Sequence, residues 1–194
     1  MLLDFDILRI VSNNIKPAAG KMLISEPLLD DYYFKRSTVL LADEFNNSFM
    51  GFILNLKSDK FLNDYVDGFN KENIPLFLGG PVDTDALFYL HTFDFIKNAH
   101  KINDELFLNG DIEEIKKLVN SGFANNNNIK FFIGSSGWSP GQLNDEIAFN
   151  SWLVSNMPVN FAFSQAEKMW ENALNLFGER YQLWKNFPIN PDYN

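Results

Sequence analysis

Short apolar runs, several joined by tight turns, are mixed with helical segments along this 194-residue chain, and the order departs from a strict βαβ alternation. Gly20 introduces the strand-like Lys21-Met22-Leu23-Ile24-Ser25, and Ser37-Thr38-Val39-Leu40-Leu41-Ala42 reads as a second strand buried on both faces. Asn46-Asn47-Ser48 is the loop of a hairpin leading into Phe49 to Asn55. Phe61 to Phe69 holds a short helix, and Leu76-Phe77-Leu78 is a strand ended by Gly79-Gly80-Pro81. Ala86 to His91, Glu105 to Leu108 and Ile129 to Ile133 are further strands. Asp111 caps a helix whose Ile112, Ile115, Leu118 and Val119 have helical spacing. Phe161 to Phe177 is mainly helical with a C-cap at Gly178, and the N-terminal segment has helical character. The mixture favours an α+β fold, with Asn125 to Asn128 as a loop.

The most informative stretch runs from Phe131 to Leu143, where a short apolar strand runs into a tight Gly134-Ser135-Ser136-Gly137 turn, then Trp138, then the opening of a helix. Ser139 as N-cap, Pro140 at the first helical position and Gln142 three residues after the cap form a capping-box pattern. A helix N-terminus beside glycines accepts anions, whereas a capped structural corner fastened by Trp138 has the same residues. Three phosphate or nucleophile motifs fail. Ser136 has Gly134 before it but Trp138 after it, so no nucleophile elbow forms. No Gly-Lys-Ser/Thr closes a P-loop, and Gly79-Gly80 leads into proline and a strand, unlike a dinucleotide fingerprint.

Hydrophobic residues make up 46% and charged residues 21%, which is globular composition. A net charge of −9 opposes the phosphate backbone and argues against direct nucleic-acid binding. There is no apolar run of about 18 residues for a membrane span, and the first residues carry acids where a signal peptide needs bases. A cytoplasmic location is the expectation. The absence of cysteine excludes disulfides and thiolate chemistry. His91 ends a strand with Asp83 and Asp85 upstream, which suits a histidine–carboxylate pair or a hydrogen-bonded packing histidine. Asp30-Asp31 with Lys35-Arg36 fits a local ion-pair cluster or a ligand contact.

Several blocks resemble the YqgE/AlgH family, also called UPF0301 or DUF179. Gly20 to Pro27, Phe34 to Leu41 and Gly51 to Asn55 are similar to its first half. Leu78-Gly79-Gly80-Pro81-Val82 with Tyr89-Leu90-His91 is similar to its central block. Gly134 with Ser136-Gly137-Trp138, Gly141-Gln142-Leu143, Glu146-Ile147 and Asn150 to Leu153 is similar to its third. The resemblance runs from about residue 20 to 180 and implies a compact α+β fold, a β-barrel-like mixed sheet surrounded by helices. It also implies a regulatory role without an established enzymatic activity. Ala42 to Phe45 departs from the family's Cys-Glu-His-like segment, and Ser135 stands where an aromatic is common.

The expectation is therefore one domain over 1–194 with 1–19 as an N-terminal extension. Its function is that of a non-enzymatic binding or regulatory protein for a small molecule or protein partner, with any effect on transcription indirect. Candidate ligand-binding residues are Arg36, Gly79, Gly80, His91, Ser136, Gly137, Trp138 and Gln142. No catalytic residue, metal or cofactor is assigned. The alternative is a hydrolase-type enzyme using His91 with Asp83, Asp85 or Glu146 as acid–base.

Overall fold

In the computed structural model, which describes residues 9–10, 14–156 and 158–188, the strands join in one mixed sheet. In chain order they are β1 (Lys21–Ser25), β2 (Thr38–Phe45), β3 (Ser48–Ile53), β4 (Lys57–Phe61), β5 (Pro75–Leu78), β6 (Val82–His91), β7 (His100–Lys101), β8 (Phe107–Leu108), β9 (Ile129–Trp138) and β10 (Trp152–Asn156). Helices α1 (Ile112–Asn120), α2 (Gln142–Ala148), α3 (Val159–Ala162), α4 (Ala166–Leu174) and α5 (Glu179–Gln182) complete the frame. The strands follow the order β10-β1-β2-β3-β9-β6-β8-β7, with β5 also on β9 and β4 outside β5. All pairs are antiparallel except β5–β9. The α+β class holds, but the sheet is not closed, so the barrel-like description is corrected: β10 and β7 end the order without pairing to each other.

The cause of the open form lies in β9, which changes neighbours along its length. Its first half pairs with β5 on one side and β6 on the other; its last residues pair with β3, as Gly51↔Ser136 and Phe49↔Trp138. The change falls at Gly134, whose φ of 73° is a conformation that glycine tolerates without a Cβ penalty. Glycines also fill the space beside this point. A Cβ on Gly79 would lie 2.2 Å from the Gly134 carbonyl oxygen, and one on Gly80 would lie 2.5 Å from that of Ser135. Three bonds fasten the crossing: Gly79 N–H to Ile133 O at 2.8 Å, Ile53 N–H to Gly79 O at 3.0 Å, and Ser136 Oγ–H to Gly79 O at 2.8 Å.

This crossing corrects the reading of Gly134 to Gly137 as a turn. The glycine- and serine-rich composition is compatible with a turn, but pairing to β3 keeps the chain extended to Trp138. Helix α2 accordingly starts at Gln142, with Gly141 (φ 84°) as its N-cap and Pro140 left in the preceding turn. Half of the capping box survives, because Gln142 Oε1 accepts from the Ser139 N–H at 3.0 Å.

Both faces of the sheet are covered, which explains why β1, β2 and β9 read as continuous apolar runs. Leu23, Val39 and Leu41 pack with Trp138, Trp152 and Leu143 on one face. Met22 and Ile24 on the other meet Trp170 and Trp184. Along β9, Ile129, Phe131 and Ile133 face Ile115 and Val119 of α1, while Phe132 faces Phe52 and Phe77. Residues one apart thus serve opposite layers, the period-two consequence of the pleat. By that alternation Lys130 shares the face of Phe132.

Other expectations fare as local chemistry dictates. The hairpin loop carries Asn46 and Asn47 at φ 51° and 61°, the signature of a primed turn. Asp111 Oδ1 accepts from Glu113 and Glu114 N–H at 2.9 and 3.3 Å, capping α1 as its sequence indicates. The helical span after Phe161 is broken between α3 and α4, then continues through a 3₁₀ turn to Gly178 at φ 87°. The short helix after Phe61 is a 3₁₀ turn over Leu62–Asp64, and the strand expected at Glu105 to Leu108 is only Phe107–Leu108. The helical expectation for the segment before Gly20 is not met at residues 9–10 and 14–19, which hold no helix, and otherwise falls on residues 1–8 and 11–13, outside the described ones.

The crossing makes a discriminating prediction. Gly79→Ala is expected to lower stability by more than about 2 kcal/mol, because backbone rather than a flexible side chain must move. Gly137→Ala, whose nearest contact would be Val82 at 3.6 Å, is expected to stay within about 0.5 kcal/mol. Urea midpoints for the two variants decide, and equal midpoints would remove the crossing from its central position.

Candidate functional site

The residues singled out by sequence fall at four separate places. Gly79, Gly80 and Ser136 meet at the β9 crossing, where Ser136 is fully buried and spends its hydroxyl on Gly79 O. Gly137 lies next in the strand with its face exposed. Arg36 lies elsewhere: its guanidinium sits 5.0 Å over the Trp170 ring and donates to Phe187 O. Burial lowers its pKa, and the Glu171 charge opposes that shift. Asp31 does not pair with the neighbouring cations; its Oδ1 instead accepts from Tyr33 and Phe34 N–H at 2.8 and 2.9 Å.

Trp138 and Gln142 belong to a clamp around Glu146. The Glu146 Oε2 accepts from Trp138 Nε1–H at 2.9 Å and from Trp152 Nε1–H at 2.7 Å, while Oε1 accepts from Gln142 Nε2 at 2.9 Å. The two indoles pack edge to face with centroids 6.1 Å apart. The carboxylate thus joins α2 to β9 and β10. Its acceptor sites are occupied by neighbours, as befits a fastening.

His91 is fully buried, with its ring stacked 5.5 Å from Phe93 and 6.0 Å from Phe107. Its Nδ1 accepts from Phe93 N–H at 3.2 Å, so Nε2 carries the proton and donates to Asn109 O at 2.8 Å. Burial lowers its pKa and outweighs the opposing effect of the Asn109 carbonyl, which fits a neutral ring in the packing. Asp83 and Asp85 lie at the other end of β6, and Glu146 is held by the tryptophans. The histidine and the carboxylates of the hydrolase reading therefore do not converge.

A different residue stands in a cleft at another end of the sheet. This cavity, about 470 Å³, opens where β5 and β9 begin, beneath the Asn125-Asn126-Asn127 loop and against the Phe163 to Glu167 turn. Ile74, Phe77, Val119 and Phe163 give it apolar walls, and Lys57, Lys71, Lys130 and Glu167 give it charge. Lys130 is only 5% exposed. Its Nζ donates to Leu54 O at 2.9 Å and lies 4.4 Å from the Phe77 ring centroid. Leu54 O is available because the chain leaves β3 there on its way to β4. Desolvation first, and the Lys57 charge second, bring Lys130 from 10.5 to about 7, with Glu167 opposing. At the mouth, Lys57 and Glu167 form an ion pair. Lys71 has no ion-pair partner among the described residues.

None of the eight sequence candidates lines this cleft. The signal that points to it is one charge inside Ile129-Lys130-Phe131-Phe132-Ile133, an apolar strand where a lysine is rarely buried without a partner. Among the described residues, no group of three or more histidine, aspartate and glutamate side chains is arranged to hold a metal. No described helix is long and apolar enough to cross a membrane.

The profile of the DUF179 family, described as AlgH-like, matches residues 22–182. A UPF0301 protein of Bacteroides thetaiotaomicron is 45% identical over 100% of both chains, and UPF0301 protein BF2109 of Bacteroides fragilis is 43% identical over the same extent. Among solved structures, protein DIP2367 of Corynebacterium diphtheriae has a TM-score of 0.75 at 23% identity, covering 96% of this chain and 100% of its own. The solution structure of the AlgH protein from Pseudomonas aeruginosa has a TM-score of 0.69 at 21% identity, covering 93% and 98%. These two structures share the fold.

The clamp and the buried lysine each yield an expected outcome. Glu146→Ala leaves two indole N–H groups unpaired and is expected to cost about 2 kcal/mol, with altered tryptophan fluorescence and unchanged far-UV circular dichroism. Unchanged stability would show that the carboxylate fastens nothing.

For Lys130, the native amine loses its proton near pH 7 and the unfolded one near 10.5. Between these values the unfolded chain binds more protons, so stability rises with pH; below pH 7 both forms are charged and the full burial cost is present. Relative to Lys130→Met, the wild type is expected to gain on the order of a few kcal/mol from pH 7 to 10. Urea titrations across that range test this, and parallel curves for the two proteins would contradict it.

Proposed function

We propose that this chain, which belongs to the AlgH-like (DUF179) family, is a single-domain binding protein for a small organic anion with an apolar portion. The observation that carries the reading is the placement of Lys130, almost fully buried in a cleft whose mouth also holds Lys57 and Lys71 against the single carboxylate of Glu167. Small-molecule sites combine apolar walls with a few convergent polar groups, and 470 Å³ lies within the usual range of about 300–1,000 Å³. Lys71 and Lys57 supply the charge that an anion meets first, and Phe77 with Phe163 receives its apolar part. Gln165 lies along the rim with its amide, while that of Asn125 is used within its own loop.

In this reading the sequence candidates are structural supports. Gly79, Gly80 and Ser136 hold the strand crossing, Trp138 and Gln142 hold the clamp, and His91 fills the packing. A regulatory consequence would follow from occupancy of the cleft, passed to a protein partner in the cytoplasm. The net charge of −9 disfavours direct contact with nucleic acid.

Thermal-shift and calorimetric titration with a panel of small carboxylates and phosphates tests the proposal. At least one anion is expected to raise the midpoint, with affinity falling about fivefold or more in Lys71→Ala and weakening as salt rises. Absence of stabilisation by every anion at millimolar concentration, or an affinity unaffected by Lys71→Ala and Lys57→Ala together, would overturn it.

A further inference from the structure

We propose that Lys130 is an amine nucleophile that captures the carbonyl carbon of a small 2-oxo acid as an imine in the cleft beneath the Asn125–Asn127 loop. This rests on the anion-binding reading above and adds a covalent step to it. A lysine becomes nucleophilic at neutral pH when it is desolvated in an apolar pocket or set beside a second cation. Lys130 meets both conditions. It is 5% exposed against Phe77, and the Lys57 charge acts on it directly. Its pKa of about 7 supports this, since a substantial share of the side chain is then free amine in neutral solution.

The hydrogen bonding suits the neutral form. One N–H is directed to Leu54 O at 2.9 Å, which fixes the nitrogen and leaves its lone pair unused. A neutral amine contributes no charge toward an anion, so the carboxylate of the ligand falls to Lys71 and Lys57 at the mouth. A carbonyl adjacent to that carboxylate is the group that gives a buried amine a reaction partner. These requirements together describe a 2-oxo acid with a short apolar side chain.

The step balances without an oxidant or reductant. The Lys130 nitrogen lone pair forms a bond to the carbonyl carbon, and the carbonyl π pair moves to oxygen, which takes up a proton. The attacking nitrogen gives up one proton as the carbinolamine forms. Its hydroxyl then takes up a second proton and leaves as water while the nitrogen lone pair forms the C=N bond. The nitrogen releases its remaining proton, so that two protons go from nitrogen to the departing oxygen. One amine and one carbonyl thus give one imine and one water. Glu167, near enough to influence Lys130 electrostatically, is the carboxylate available to carry each transferred proton.

The experiment is reductive trapping of the wild-type protein with pyruvate and borohydride, followed by proteolysis and mass mapping. Lactate, an anion of similar size without the carbonyl, is titrated in parallel. Expected is a reduced adduct on the peptide carrying Lys130, at least about tenfold above any other lysine, increasing as pH rises through 7 and absent after prior unfolding in urea. Lys130→Met is expected to abolish it, and if that variant does not fold, the site map and the unfolded control still locate the reaction. Pyruvate and lactate binding alike, with no adduct on Lys130, would overturn the imine and leave the anion site standing. Neither binding would remove both. Adducts spread evenly over surface lysines would also overturn the assignment.

Discussion

A Cβ on Gly79 would lie 2.2 Å from the Gly134 carbonyl oxygen and one on Gly134 would lie 2.7 Å from that of Gly80, and this close approach determines how the sheet is divided. Strand β9 serves one set of neighbours before Gly134 and another after it, and the bonds of Gly79 to Ile133, Ile53 and Ser136 tie β3, β5 and β9 at that point. Two consequences follow from the geometry. The sheet stays open, because the parallel β5–β9 pair branches away from the path that continues through β6. The branch also leaves an unfilled end where β5 and β9 begin, and the cleft with Lys130 lies there. The crossing and the cleft are therefore two results of one backbone constraint.

The elements that could be read from sequence were those whose cause is local. Gly20 before β1, the Asn46-Asn47 turn and the Asp111 cap each act within a few residues, and each appears where the chain indicates it. Elements set by distant partners were not legible. β4, Lys57-Ser58-Asp59-Lys60-Phe61, is a mostly exposed edge strand with little apolar pattern, and it exists through its pairing with β5. β10 had no counterpart among the expected strands, although Trp152 to Val154 are buried against β1. The Gly134 to Gly137 segment has the composition of a turn, yet pairing to β3 makes it strand.

The candidate site divides along the same line. Glycines, a tryptophan and a histidine attract notice in a sequence because each has special chemistry, and here that chemistry is used inside the fold. Gly79 and Gly80 permit a close approach, Trp138 supplies an indole N–H to Glu146, and His91 uses both ring nitrogens on backbone groups. Lys130 was visible only as a charge in an apolar strand. Its burial depends on the Leu54 carbonyl, the Phe77 ring and the Phe163 to Glu167 turn, which lie far away along the chain.

The energetics of Lys130 bear on why a lysine stands there. Leu54 O needs a donor, because an unpaired buried carbonyl is costly. A neutral donor would satisfy it with a net return of about 0.5–1.5 kcal/mol and a smaller desolvation cost. The ammonium instead loses so much hydration that its proton is held only to about pH 7, and the nearby Lys57 adds to the cost. One carbonyl bond and one ring contact do not offset such a burial, so pairing with Leu54 accounts for the position of the nitrogen and not for the choice of residue. A side chain kept where it weakens the fold at neutral pH, at the base of an open cleft, is better explained by the amine itself.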